Sequence, residues 1–277
     1  MMPATAIAAP ELMLDPKHPG INDAAYISRR NEFYRLGYDY RIHEKGFPQL
    51  AYTPEEQQIW QYISAKLAPQ HLAKACSIYL QGKQILNLDP QQIPQLKALD
   101  QQLRSQHQIG LVPAEGLLET RVFNDYLYRR IMPCTQFMRH ASEPEYTPEP
   151  DAVHDILGHV PPLIHPQYTD LIHLLGQGVQ LASDEQLPLW ARVYWFTIEF
   201  GLIQEQGEIK VLGSGILSSF GEMDYCFSDN VERRPFIIDD VIATDYDSTQ
   251  MQGILYVIPS LDFAKAAILD LSKRLYG

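Results

Sequence analysis

Residues 154–161 read His-Asp-Ile-Leu-Gly-His-Val-Pro, and the spacing of the two histidines decides how the middle of this chain is built. Each residue of a straight α-helix advances by about 100°, so His154 and His159 would stand about 140° apart and could not share a ligand. They converge only where the helix is distorted or ends between them. Gly158 and Pro161-Pro162 are residue types that end helices. The spacing is not the i,i+4 pair of zinc hydrolases, which would also need a general-base carboxylate. It fits two metal ligands at a helix terminus that need a third from elsewhere. The plainer alternative is a pair of core or surface histidines. Against it, five of the nine histidines crowd between His140 and His173.

A third ligand should be an acid or histidine on an otherwise apolar face. Glu199 fits, as the only charge in Tyr-Trp-Phe-Thr-Ile-Glu-Phe, residues 194–200. A carboxylate buried alone is costly, so Glu199 either binds a metal or pairs with a cation, Arg192 being the nearest in sequence. Two histidines and one carboxylate form the facial triad of non-haem Fe(II) oxygenases, which leaves coordination positions open.

Outward from this centre the chain reads as mostly α with small β elements. Thr53-Pro54-Glu55-Glu56 is a capping box with Pro at the first helical position, and Ile59, Trp60, Ile63 and Leu67 follow at helical spacing. A helix is expected from Asp89-Pro90, with Leu96, Leu99 and Leu103 on one stripe. Thr120 is expected to cap a short helix through Arg130, with residues 134–138 extended after Pro133. Helices are predicted from Pro166 to Leu181 and from Leu187 to Phe200. Residues 202–212 read as a hairpin around Gln206-Gly207, residues 254–258 as a buried strand, and Ser260 as the cap of a last helix ending near Tyr276. Residues 1–25, with four prolines and no helical period, read as a flexible lead-in to one domain spanning 26–277.

The charge balance limits the partners. With 22 basic and 34 acidic residues the chain carries a net −12, which disfavours nucleic acid and anionic membrane surfaces. Cys76, Cys134 and Cys226 lie too far apart for a Cys-based zinc motif or a disulfide framework. No basic leader and no long apolar run is present, so a cytoplasmic location is expected.

The segments Arg-His-Ala-Ser-Glu-Pro-Glu-Tyr-Thr-Pro-Glu-Pro-Asp (139–151), HDILGHVP, YWFTIEFGL (194–202) and SGILSSFGE (214–222), in this order, resemble the aromatic amino acid hydroxylases. These are tetrahydropterin-dependent monooxygenases, and the phenylalanine-hydroxylating branch is the most similar. The resemblance runs from about Tyr52 to Leu271. It implies that family's catalytic-domain fold, without the regulatory domain before it or the tetramerisation helix after it, hence a monomer or dimer. It implies Fe(II) on His154, His159 and Glu199, with Glu199 and Asp155 as the carboxylates of the reaction centre. Asp155 stands where many members have Glu, which keeps the charge on a shorter arm and suits a water-mediated role. By the same resemblance Arg139 clamps the α-carboxylate of the amino acid, a task for a bidentate guanidinium. Tyr146, Thr147, Pro148, Trp195, Phe200, Gly215 and Ser218 then line the substrate pocket. Gly116, Leu117, Leu118, Thr120 and Phe123 form the pterin site.

The implied reaction takes L-phenylalanine, O2 and a tetrahydropterin to L-tyrosine; tyrosine and tryptophan hydroxylation are the alternatives within the family. Trp195 matches the phenylalanine and tyrosine enzymes. In the loop Asp245-Tyr246-Asp247-Ser248, tyrosine enzymes carry Asp at a specificity position that falls here on Ser248, with Asp247 one residue before. Phenylalanine is therefore favoured.

Overall fold

The capping box at Thr53 forms as read. Its hydroxyl accepts from Glu56 N, and the Glu56 carboxylate accepts from Thr53 N, at 3.2 and 2.7 Å. The structure is a computed structural model that describes residues 14–145, 147 and 149–277. Tyr146 and Pro148, two of the expected pocket residues, lie outside the described residues.

Helices in the first part are α1 (Ala24–His43), α2 (Pro54–Lys74), α3 (Ser77–Ile85), α4 (Leu96–His107) and α5 (Thr120–Tyr128). Strands β1 (Gly110–Pro113) and β2 (Ile131–Cys134) flank α5 and pair in parallel, Gly110 opposite Ile131. Then follow α6 (Pro166–Leu181), α7 (Leu187–Tyr194), α8 (Ser214–Leu217), α9 (Phe220–Tyr225), α10 (Ile238–Ala243) and α11 (Leu261–Tyr276). Strands β3 (Leu202–Glu205), β4 (Glu208–Val211), β5 (Glu232–Pro235) and β6 (Ile254–Ile258) make a mixed sheet in the order β4-β3-β6-β5. The β3–β4 hairpin turns on Gln206 and Gly207 at φ 49° and 86°, the paired positive values of a tight two-residue turn.

Trp60, Ile63 and Leu67 of α2 are fully buried in one core with Tyr168, Trp190, Phe196 and Tyr256, each contributing about 1.5–3 kcal/mol of burial. The last helix is tied in by polar contacts: Trp190 Nε1 donates to the Tyr276 hydroxyl at 2.7 Å, which donates to Gly178 O at 3.2 Å. The three cysteines are free and buried.

Four local expectations are corrected. The helix expected from Asp89 begins at Leu96, because Pro94 removes a donor and restricts Ile93. The cap of α5 is Glu119, whose carboxylate accepts from Val122 N at 3.1 Å, one residue before Thr120. The lead-in is not loose over its described part. Residues 14–23 form turns, His18 is buried, and its ring stacks on Tyr26 with centroids 5.4 Å apart. The helix read from Leu187 to Phe200 changes its winding at Trp195, with a consequence for the site.

Candidate metal centre and substrate pocket

Val153–His159 is a π-helix, and so is Trp195–Glu199. The wider winding shows in the hydrogen bonds, Val160 N to Asp155 O at 3.1 Å and Phe200 N to Trp195 O at 2.7 Å, both five residues apart. A π-helix brings residues i and i+5 onto one face. The π-turn thus supplies the distortion that the His154–His159 spacing demands. Gly158 does not end the helix, as its type suggested. It lets α8 approach, since a Cβ there would stand 2.8 Å from Ser214 O.

Three side chains converge. His154 Nε2 lies 3.1 Å from His159 Nε2, His159 Nε2 lies 3.2 Å from Glu199 Oε1, and His154 Nε2 lies 3.5 Å from Glu199 Oε2. Ligand atoms about 2.1 Å from a metal at right angles are separated by about 3 Å, so this triangle has the size of a facial ligand set. Asp155 also falls with the two histidines in a group able to hold a metal ion. Its Oδ2, however, already accepts from Thr135 N and Thr135 Oγ1, both at 2.6 Å. Glu199 is the freer carboxylate. Arg192 does not compete for it: that guanidinium pairs with Asp245 and donates to Ile242 O at 2.9 Å.

Neighbouring groups orient the three. Ser218 Oγ donates to Ser214 O at 2.7 Å, so it is an acceptor for His154 Nδ1, 3.2 Å away. That contact places the proton on Nδ1 and leaves Nε2 free for a metal. Ser218, expected in the substrate pocket, is thus engaged with His154. Ser214, which the sequence marks only as the first residue of the SGILSSFGE motif, has its hydroxyl 3.0 Å from Glu199 Oε2, 3.1 Å from His159 Nε2 and 3.0 Å from Ile198 O.

The electrostatics follow from burial and proximity. Burial pushes the Glu199 carboxyl up, but His159, His154 and the hydroxyl of Ser214 outweigh it and hold the pKa at about 2. Burial pushes His159 down, and the charge and hydrogen bond of Glu199 more than reverse this, so His159 is raised. His154 stays lowered, burial there exceeding the pull of Glu199. Burial raises Asp155, against the opposing effects of both histidines and Thr135.

Arg139 is buried on a partner that sequence reasoning missed. Asp151, with no exposed surface, accepts from Arg139 Nε at 2.8 Å, Arg139 Nη2 at 2.9 Å and Arg139 N at 3.0 Å. Its Oδ1 also accepts from His154 N at 3.0 Å. One carboxylate thus ties the arginine to the start of the metal-facing turn. Arg139 Nη1 donates to Pro144 O at 3.3 Å, which leaves one N–H on each Nη for a further anion. Burial opposes the Asp151 charge, and Arg139 beside it overcomes this and lowers the pKa.

The aromatic side of the site is built on Trp195. Its ring leans on Phe200 at 4.5 Å and 31° and stacks on Tyr246 at 4.2 Å and 10°. Gly215 permits this, because a Cβ there would meet the Phe200 ring at 2.8 Å. Thr147 is half-buried and its hydroxyl donates locally to Glu149 O at 2.6 Å.

This arrangement has counterparts. Residues 3–276 match the family model described as biopterin-dependent aromatic amino acid hydroxylase, beyond the expected range at both ends. The chain belongs to that family. Among these hydroxylases, it is 36% identical over 260 residues to a tyrosine 3-monooxygenase of Schistosoma mansoni and 37% identical over 259 residues to the phenylalanine-4-hydroxylase of Rattus norvegicus. Each match takes in 92% of this chain but 55% and 57% of the relative, so the chain spans little more than half the length of these curated relatives. The phenylalanine hydroxylase of Chromobacterium violaceum, solved with iron(III) and 7,8-dihydrobiopterin, superposes with a TM-score of 0.76 at 32% identity, covering 81% of this chain and 83% of that one. The Legionella pneumophila phenylalanine hydroxylase gives 0.77 at 30% identity, covering 82% and 93%.

The segment expected to hold the pterin, 116–123, is buried at its start and exposed further along. Gly116 is buried at φ 152°, Leu118 is half-buried, and Leu117 and Thr120 are exposed, Leu117 by 82%. Phe123 reaches the centre through Tyr194, the ring edge meeting the face at 5.6 Å and 89°. Tyr194 opens the YWFTIEFGL motif. Its buried phenol is raised well above its ordinary pKa, by burial and by the Glu199 charge. Among the described residues no helix is long and apolar enough to cross a membrane.

Proposed function

We propose that this protein hydroxylates L-phenylalanine to L-tyrosine with O2 and a tetrahydropterin at a non-haem iron site. The observation that carries the reading is the triangle of His154 Nε2, His159 Nε2 and Glu199, closed by two π-turns. His154, His159 and Glu199 would hold the iron, one carboxylate charge leaving a net +1 on Fe(II) in a mostly buried setting. Iron and pterin together supply the activation of O2, the pterin giving the two electrons that reduce the second oxygen atom.

The protein contributes placement and dryness. Arg139 offers its two remaining N–H groups to the α-carboxylate, and Asp151 keeps that guanidinium from turning. Trp195 and Phe200 form an apolar wall for a ring. Phe123 provides a face on which a pterin ring can stack, while the exposed Leu117 would be covered by it. Asp155, held by Thr135 beside the histidines, would orient a water rather than bind metal directly.

Phenylalanine is preferred over tyrosine for a local reason. Asp247 Oδ1 accepts from Thr249 N at 2.8 Å and Thr249 Oγ1 at 2.6 Å, so its carboxylate serves its own exposed loop. The aromatic wall then presents no assigned carboxylate to a phenol. The test is product analysis with purified protein, Fe(II) and a tetrahydropterin on phenylalanine, tyrosine and tryptophan. Tyrosine from phenylalanine is expected as the dominant product. Faster conversion of tyrosine to its catechol would move the assignment to tyrosine hydroxylation, and pterin-independent activity with zinc would move it to a hydrolase.

A further inference from the structure

Between β5 and β6 the chain crosses the aromatic wall as a loop whose residues 245–251 are all exposed, yet the Tyr246 ring in it lies flat on Trp195. A cavity of about 200 Å³, lined among others by Phe196, Tyr246 and Met251, adjoins this loop. The loop is therefore packed on one side, through Tyr246 against Trp195 and Phe196, and open on the other. Arg192 holds the start of the loop through Ile242 O and Asp245. The other end is held by Gln252, which is 6% exposed and makes three hydrogen bonds. Its Oε1 accepts from Trp195 Nε1 at 3.1 Å, and its Nε2 donates to Asp247 O at 2.8 Å and Gln250 O at 2.6 Å. An indole nitrogen can only donate, so the orientation of the amide is decided by chemistry.

We propose that Gln252 is a specificity-determining positioning residue, which locks the Trp195 indole to the 245–251 loop and so sets the width of the slot that receives the substrate ring. The inference rests on the reading that Trp195 lines that slot. The physical basis is the cost of unmade hydrogen bonds. Without Gln252 the part-buried indole N–H and Gln250 O lose this partner together, and Asp247 O keeps only the bond from Gln250 N at 3.3 Å. The indole is then free to turn about its side-chain bonds, and the Tyr246 ring, stacked on it beside a void, moves with it. Trp195 opens the π-turn that ends in Glu199, so a change here alters the slot next to the metal face while leaving the ligand atoms untouched.

The test compares Gln252→Leu, which removes both functions of the amide, with Gln252→Glu, which keeps the acceptor and loses the donors. For Gln252→Leu, the amino acid KM should rise about tenfold and the phenylalanine-to-tryptophan turnover ratio should fall several-fold, the scale of one lost hydrogen bond. The tetrahydropterin KM and the bound iron should stay at wild-type values. In the metal-free protein, the Trp195 indole N–H should exchange with solvent faster by NMR. Should the leucine variant fail to fold, Gln252→Glu decides. There the indole N–H should stay protected while the amides of 245–251 exchange faster. Wild-type amino acid KM, turnover ratio and loop exchange in the soluble variants would overturn the proposal. A wild-type protein that hydroxylates no aromatic amino acid would instead overturn the proposed function and the substrate half of this inference. The exchange measurements would still decide whether Gln252 couples Trp195 to the loop.

Discussion

The metal-facing wall and the rim proposed for the pterin are built on opposite terms. The metal face has most of its polar atoms buried and already held, Ser218 on His154, Ser214 on Glu199, Thr135 on Asp155 and Asp151 on the backbone of His154, with His159 Nδ1 the buried atom left without a partner among the described residues. The rim from Gly116 to Phe123 leaves Leu117 and Thr120 in solvent. A resident ion benefits from ligands fixed in advance, since any disorder in them weakens every bond at once. A flat cosubstrate that leaves after each turnover suits an accessible rim that its own arrival covers.

Substitutions on the metal face should therefore be costly and those on the rim mild. The largest effect is expected of Glu199→Ala, which should lose iron and pterin-dependent tyrosine formation together, by about a thousandfold or more. Metal content and product yield on the same sample check it, and a variant with full turnover would remove Glu199 from the ligand set. Next, Asp151→Ala leaves the buried Arg139 uncompensated and should cost about 3–5 kcal/mol in thermal or denaturant unfolding. Ser214→Ala should keep the fold and weaken metal affinity by about tenfold, the usual scale for a group that orients a ligand, as read by Co(II) titration.

The pH response of the metal face is of similar size. His159 must give up its proton to bind metal and its pKa is raised, so affinity should fall about tenfold per pH unit below that value and level off above it. His154 is shifted down and Glu199 sits at about 2, so neither adds a dependence near neutrality. By the same signs, the stability that the His159–Glu199 pair lends the metal-free protein is fully present below the ordinary histidine pKa. It is lost as pH rises through the raised value. Metal titrations and unfolding curves across about pH 5.5–8 measure both, since histidine titrates in that range. The smallest effect belongs to the rim. Leu117→Ser should change stability by less than about 0.5 kcal/mol, because the side chain is exposed, while raising the tetrahydropterin KM a few-fold. A variant that leaves the pterin KM unchanged would take Leu117 out of the rim.

Much of this was legible in the residues themselves, because local chemistry acts over short spans. Thr53 and Ser260 cap helices through side chains three residues from their partners, and Gln206-Gly207 turns a hairpin within two residues. The alternation and clustering of apolar residues marked the mostly α class and the buried strand at 254–258. The histidine spacing excluded a straight helix between His154 and His159, and the isolated charge of Glu199 called for a partner. The sequence alone therefore determined the ligand candidates and the fold class.

Only the tertiary structure decided how these meet. Hydrophobic period cannot separate a π-turn from an α-turn over five to seven residues, so the winding of 153–159 and 195–199 was out of reach. The partners that matter most lie far along the chain: Ser214 from His159, Thr135 from Asp155, Gln252 from Trp195. Serine, threonine and glutamine are ordinary surface residues until packing buries them. Their roles come from long-range contacts that bring scattered donors and acceptors into a dry enclosure, where each must find a partner.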